Sequence, residues 1–454
     1  MHLIIALWLL ALPARSSAQD SGGAELGYVV RVLDTGTVVL DFNEKSGASV
    51  GRPFTLFKEG DELKHPVTGK SLGRIESAVA QGILTQILPL YSIGALSSAG
   101  PSETVVPGMR ARLNPAPAQT PAPAQPAATQ SSSRPPRWRS PSFDYQATAM
   151  SVADCRGDGQ LQTVLSDGRN VYLYSYPPNG ATPIVQFAHK GNAPRILSLE
   201  AADINGNGRC EIFASLHNDT FNRFETVVLE FDGQGRLAQI AEFPYLVRSY
   251  LDPEGKPRFA VQQIVEDKSF PFGTIYPLSW KDGKYGPGRP PIGFGKRGVD
   301  WLYDFNFLSI DGKTATVSLT NTELVRVIFP NGKNVKTDAP YGQTPNRVRW
   351  TGDRMLNFRP PMAARYDNKG SLAGFYLLKN IAAFGGLAAP FGVFARGELH
   401  RKDWNGLSFS NSWVAELGGY STGLALVSPP NGAQELAVAV VGTAGKTSVW
   451  AFDP

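Results

Sequence analysis

Between residues 143 and 454 two sequence signals repeat with a period near 50 residues, out of phase with one another. The first is an acidic loop that runs into an apolar strand. VADCRGDGQLQTVL begins its loop at Asp154, AADINGNGRCEIFASL at Asp203 and SYLDPEGKPRFAVQQI at Asp252, two steps of 49 residues. Eroded copies follow near Asp311, Asp367 and Asn431. The second signal is a strand of alternating large residues ending in a turn: YLYSYPPNG, VLEFDGQG, PLSWKDG, VIFPNG and LHRKDWNG, with glycines at Gly180, Gly233, Gly283, Gly332 and Gly406. Asn-Gly and Asp-Gly supply the positive φ angles that tight hairpins need. The glycine spacings are 53, 50, 49 and 74, so the last interval holds an insertion.

Two signals per period of this length describe a blade of four strands. One blade cannot bury both of its faces, so blades stack in a ring. The expected fold is all-β, a propeller of six four-stranded blades over residues 143–454. Seven is the alternative, if the 74-residue interval hides a degenerate blade. The chain ends at SVWAFDP, the third strand of the last blade. A strand near Trp138–Tyr145 is expected to supply the fourth and pin the ring shut, leaving no open edge.

The remaining chain divides by composition. Residues 1–18 read as a signal peptide: a ten-residue apolar run from Leu3 to Leu12, Pro13, then the small residues Ser16-Ser17-Ala18. The run is too short to span a bilayer, so the expectation is an exported protein with no transmembrane segment, placed in the periplasm, at the outer membrane, at the cell surface or outside. Losing residues 1–18 removes one charge, Arg15, and leaves a net charge of +4, too mild for a nucleic-acid surface. Residues 25–113 read as a small β-barrel, with strands at Tyr28–Leu33, Thr37–Asp41, Pro53–Phe57, Arg74–Val79, Ile83–Ile87 and Met109–Leu113. Residues 114–142 are a Pro/Ala-rich linker that favours extended polyproline II. Its basic end, Arg134–Arg139 around Trp138, reads as an anionic-surface contact or as a solvated lead-in.

The second copy of the loop, Asp203-Ile-Asn-Gly-Asn-Gly-Arg-Cys-Glu211, resembles the FG-GAP (VCBS) repeat of integrin-α-type propellers. The first region resembles the C-terminal module of flagellar assembly protein T. That likeness rests on a G-x-V-x-x-V opening at Gly27, the His65-Pro66-Val67-Thr68-Gly69 turn with Leu72-Gly73, and the closing Pro107-Gly108-Met109. The usual acidic residue beside the closing glycine is missing. This second resemblance implies an envelope-associated binding module.

Asp203, Asn205, Asn207 and Glu211 stand at loop positions 1, 3, 5 and 9, with the carbonyl of Arg209 at position 7. Alternate positions turn oxygens inward around a hard cation, so calcium is the expected ligand. The same residues also fit a metal-free turn in which Asp203 and Asn205 cap backbone amides. In the first loop Arg156 stands where an oxygen should, and its guanidinium can pair with Asp154 and Asp158 in place of a metal. The third loop, Asp252 to Glu254, is shortened and carries Pro253 and Pro257.

Cys155 and Cys210 occupy neighbouring loops, which leaves a disulfide and two buried thiols both open. Six tryptophans recur, Trp280, Trp301, Trp350, Trp404, Trp413 and Trp450. They read as packing between blades or as sugar-stacking surfaces. The apolar segment Phe375–Phe394 reads as a blade hairpin with a long loop. No G-x-S-x-G, H-E-x-x-H or phosphate-loop motif is present. The expectation is therefore a non-enzymatic binding protein of the cell envelope, with an envelope protein or a glycan as partner. Two alternatives stand beside it: a propeller hydrolase or lyase acting on polysaccharide, and a structural part of a surface or appendage complex.

Overall fold

The computed structural model describes residues 25–454 apart from 35–36, 67, 97–103, 115–133, 191–193, 266–270, 295–298, 321, 351–354, 384–388, 390–391, 406, 431 and 443. The expected signal peptide, most of the linker, Val67, Gly406 and Asn431 lie outside the described residues. The chain divides into two compact units, residues 1–118 and 119–454.

In the first unit, alternating apolar residues close six strands into a barrel. The strands are β1 (Leu26–Asp34), β2 (Thr37–Leu40), β3 (Pro53–Lys64), β4 (Ser71–Ile87), β5 (Ser92–Leu96) and β6 (Arg110–Leu113), in the order β1-β2-β5-β4-β3-β6. The period of two turns Val29, Val38, Leu40, Phe54, Leu56, Leu84, Ala111 and Leu113 inward. The segments Arg74–Val79 and Ile83–Ile87 are one strand, because Ala80-Gln81-Gly82 continues the ladder. Glycine at 82 answers to packing: a Cβ there would stand 2.6 Å from Cζ of Phe54. β5 went unread because its inward positions, Ser92, Gly94 and Leu96, carry little apolar signal.

The second unit is a six-bladed propeller. Blades I to VI span residues 149–188, 194–243, 246–287, 305–340, 363–417 and 419–452, each an antiparallel sheet whose strands lie in chain order from the axis outward. Most inner strands, Ala149–Ala153, Pro194–Ala202, Leu246–Leu251, Phe305–Ile310, Ala363–Tyr366 and Gly419–Val427, neighbour the next around the ring, and between blades IV and V Phe305–Ile310 meets the second strand, Leu372–Ala382. Second strands are covered on both faces by adjacent blades, so Glu211–Asn218 is buried along its whole length. Each junction carries its own apolar cluster. Leu173 and Ile212 belong to the one between blades I and II, and Phe143, Leu165 and Val449 to the one between VI and I.

The ring closes as the sequence suggests. The short strand β7 (Trp138–Arg139) pairs with Thr447–Phe452 as the fourth strand of blade VI. Further bonds extend the seam: Arg137 N–H to Ala451 O at 2.7 Å, Ser140 N–H to Val449 O at 2.8 Å and Phe143 N–H to Thr447 O at 2.7 Å. The basic lead-in is thus part of the fold, with the Arg139 guanidinium 3.7 Å above the Trp450 ring.

Among the described residues the 74-residue interval holds no seventh blade. It holds a short hairpin, Arg347–Arg349 with Met355–Asn357, outside every blade. Val348 and Leu356 are buried against Leu197, Phe224, Leu246 and Leu302. Asn346 Nδ2 donates to Leu197 O at 3.0 Å and to Thr148 O, beside the inner strands of blades II and I. The hairpin therefore caps the axis at the end where inner strands begin, here the plug face. The acidic loops, which follow the inner strands, stand at the opposite end, the loop face. The hairpins between third and fourth strands share that face.

Candidate functional site

The acidic loop of blade II lies between its inner strand and Glu211–Asn218. Gly206 and Gly208 take φ angles of 78° and 86°, and the chain wraps around the Asp203 carboxylate. Its oxygens accept N–H bonds from Gly206 at 2.7 Å, Asn207 at 3.1 Å and Gly208 at 2.9 Å. Asn205 Oδ1 accepts from Asn207 N–H and Asn207 Oδ1 from Arg209 N–H, both at 2.9 Å. The Asn205 and Asn207 amides donate to Glu230. Glu211 accepts from Ile204 N–H at 2.7 Å and from Tyr285 Oη of blade III at 2.9 Å. Burial raises the pKa of Glu211, and these bonds pull against it. The Arg209 side chain reaches Phe231 O instead of the loop interior.

The first loop makes the same turn with different residues. Asp154 accepts from Gly157 and Gly159 at 2.8 Å each, and Gln162, in the place of Glu211, accepts from Cys155 N–H at 2.7 Å. Arg156 pairs with Asp158 at 3.3 Å, one of its two expected partners. Cys155 and Cys210 form a disulfide that ties the two loops together. Gly157 has φ 68°, and a Cβ there would stand 2.5 Å from Gly208 O, so the two loops meet too closely for any side chain. At the third loop Asp252 caps Glu254 and Lys256 N–H and pairs with Arg258 at 2.9 Å.

At blade VI the carboxylate corresponding to Glu211 is Glu435. It accepts from Tyr176 Oη of blade I at 2.7 Å and from Trp138 Nε1 at 3.1 Å. Glu211–Tyr285 and Glu435–Tyr176 are thus one device used twice: a carboxylate at the head of a second strand bonded to a tyrosine of the next blade. Sequence reading missed Glu435 because its loop has lost the leading Asp; a carboxylate recurring at that position was the available signal.

The tryptophans divide between roles. Trp301, Trp350, Trp413 and Trp450 are buried packing groups, while Trp280 on the loop face is 37% exposed beside Tyr285. Phe375–Phe394 begins in one strand of a blade V hairpin and ends in the next, Leu372–Ala382 and Phe394–Trp404.

Charged groups also converge on the axis. Arg359 bonds Asp304 and Gly342 O (2.8 Å) and lies 3.4 Å from Glu323, while Arg248 donates to Leu302 O at 3.0 Å. Burial raises the pKa values of Glu200 and Asp304 and lowers that of Arg248 to about 10. These carboxylates face guanidiniums inside the protein, an arrangement that joins the plug to blades II, III and IV.

Sheet order and closure define a β-propeller protein carrying a separate small barrel. No family model and no curated protein matches the chain. Among solved structures it is similar to BBS1N, crystallised in complex with ARL6DN, at 10% identity over 70% of this chain and 97% of that one, with a TM-score of 0.32. It is likewise similar to Saccharomyces cerevisiae Sqt1, at 10% identity over 71% and 100% of the two chains, with a TM-score of 0.31. At these scores the six-bladed architecture rests on the sheet order of this chain itself.

Proposed function

We propose that this chain is an exported, non-enzymatic interaction protein of the cell envelope whose propeller presents its loop face to a protein or glycan partner. One observation carries the reading: the two ends of the ring are built differently. The plug hairpin and its buried ion pairs occupy one end of the axis. At the other, disulfide-tied and hydrogen-bonded loops hold exposed side chains in fixed positions, the kind of preorganisation that lowers the entropic cost of binding. The resemblances to FG-GAP repeats and to the flagellar assembly protein T module support the same reading, as does the apolar leader.

Calcium belongs to this proposal as a stiffener. The blade II loop offers oxygen donors alone, as a hard cation requires, and the Asn205 and Asn207 side-chain oxygens each accept one N–H and keep a second lone pair. Asp203, Asn205, Asn207 and Glu211, with the Arg209 carbonyl, would hold the ion. The turn already stands on hydrogen bonds, so the ion tightens it without creating it.

The test is capture from envelope fractions by the full chain, compared with surface variants on each face. Leu407, 84% exposed, belongs to the loop face, and Phe221, 71% exposed, to the plug face. Leu407→Asp combined with Trp280→Ala should abolish capture of a protein or glycan, and Phe221→Asp should leave it intact. Equal capture by all three chains would sink the assignment to the loop face; no specific capture by the native chain would sink the binding role.

A further inference from the structure

The seam between blades VI and I opens on the loop face into a cleft of about 320 Å³. Its floor is Glu435, only 4% exposed. In blade II the acidic loop folds over the matching carboxylate; in blade VI it cannot. Counted back from the carboxylate, Val427 stands where Asp203 does, and Pro430, which has no N–H, stands where Gly206 donates. Among the described residues the side-chain bonds to Glu435 come from Tyr176 and Trp138, and Trp138 Nε1 takes the place of the Ile204 amide.

Both donors to Glu435, Trp138 and Tyr176, are neutral, so its charge is solvated by dipoles without being cancelled. The nearest cation among the described residues is Arg137, 3.9 Å from Glu435, 4.0 Å from Asp453 and 46% exposed. A pair this long and this wet contributes little. The walls are mostly apolar: the Trp138 and Tyr176 rings meet edge to face at 5.6 Å, and Leu161, Pro177, Pro429 and Pro430 line the sides, with Arg137 and Gln160 as the polar members of the lining.

We infer that this cleft receives one basic side chain, a lysine or arginine on an extended segment of a protein partner. A carboxylate shielded from water attracts a cation more strongly than an exposed one. Aromatic rings add cation–π attraction, and proline walls take the aliphatic stem. The inference rests on reading the loop face as a binding surface and names the chemistry that surface recognises.

The test titrates the full-length chain with argininamide, lysinamide, the neutral isostere citrullinamide and a neutral chito-oligosaccharide. The readout is the indole N–H resonance of Trp138, assigned with Trp138→Phe. The two cationic amides should shift it with dissociation constants on the order of 1–10 mM, as one pair of charge and aromatic contacts gives. Citrullinamide should not. Glu435→Gln should weaken binding about ten-fold, the loss of a charge-assisted contact. That variant also touches the seam, so Arg137→Ala is the independent arm: it removes the internal competitor and should tighten binding a few-fold. No shift in either the native or the Arg137→Ala chain overturns the inference, as does an equal shift by citrullinamide. A response to the oligosaccharide alone assigns the cleft to glycan instead. Binding of the amides without any partner in envelope fractions would leave the cleft standing and sink the proposed function; the reverse would place the partner on another surface.

Discussion

Asp203 organises a whole turn through one carboxylate, since three backbone N–H groups end on it. Asp203→Ala should cost about 1–2 kcal/mol, as loss of a capping side chain does. If calcium binds, it raises the unfolding midpoint of the native chain by mass action, and the variant loses that increment. A midpoint indifferent to millimolar calcium and to chelator in both chains would remove the ion and keep the turn. Glu200 makes a pH prediction. Burial raises its pKa above the ordinary 4.5, although Ser249 and Arg248 pull it down. A raised carboxyl favours the folded state fully below its unfolded pKa, and that contribution is lost as pH rises through the folded value. Between pH 4.5 and 7, Glu200→Gln should therefore flatten the fall in midpoint and match or exceed the native chain at pH 7. A variant several degrees less stable at pH 7 would show instead that the charge paired with Arg248 is favourable.

At the scale of elements, two devices can be separated by mutation. The Cys155–Cys210 bridge closes a loop 55 residues apart in sequence, worth about 4 kcal/mol in the chain-entropy account. Cys155→Ser with Cys210→Ser should lower the midpoint by several degrees, and reductant should do the same to the native chain only. The plug rests on Asn346, whose amide serves carbonyls of blades I and II. Asn346→Ala strands buried acceptors, at a cost of about 1–3 kcal/mol. Hydrogen exchange should then rise in Pro194–Ala202 well before it rises in Glu435–Gly442; uniform exchange in both strands would mean that the plug is not a separate element. That hairpin also explains the long repeat interval. Length alone suggested a seventh blade there, yet the extra residues form a hairpin whose Val348 and Leu356 are buried with Leu197 and Leu246.

For the whole molecule, closure is the decisive event. The last blade has three strands of its own, and the fourth comes from about 300 residues away in sequence. A chain starting at Asp144 loses the seam bonds of Arg137, Ser140 and Phe143, whereas one starting at Arg134 keeps them. The shorter chain should unfold at lower denaturant and expose Thr447–Phe452 as an open edge, with aggregation as the visible result. Equal midpoints for the two chains would show that the blades hold the ring without the closing strand.

Much of this was legible along the chain. Period, turn glycines and alternating strands specify the blade, because hairpins are local and each strand's neighbour is its successor in sequence. The final strand's missing partner was legible too, since a terminal edge has to be covered. In the barrel, the continuity of β4 and the presence of β5 escaped: Gly82 and Gly94 look like breaks until the Phe54 ring that requires them is in place. Three further matters were left to the tertiary structure. The disulfide depended on how closely neighbouring blades bring Cys155 and Cys210. The insertion became a plug instead of a blade because its apolar residues found burial at the axis. Glu435 became the floor of a cleft only when closure carried Trp138 across the ring to meet it. Sequence specifies what a strand and its turn can be; which distant groups share one small, dry volume is decided when the ring shuts.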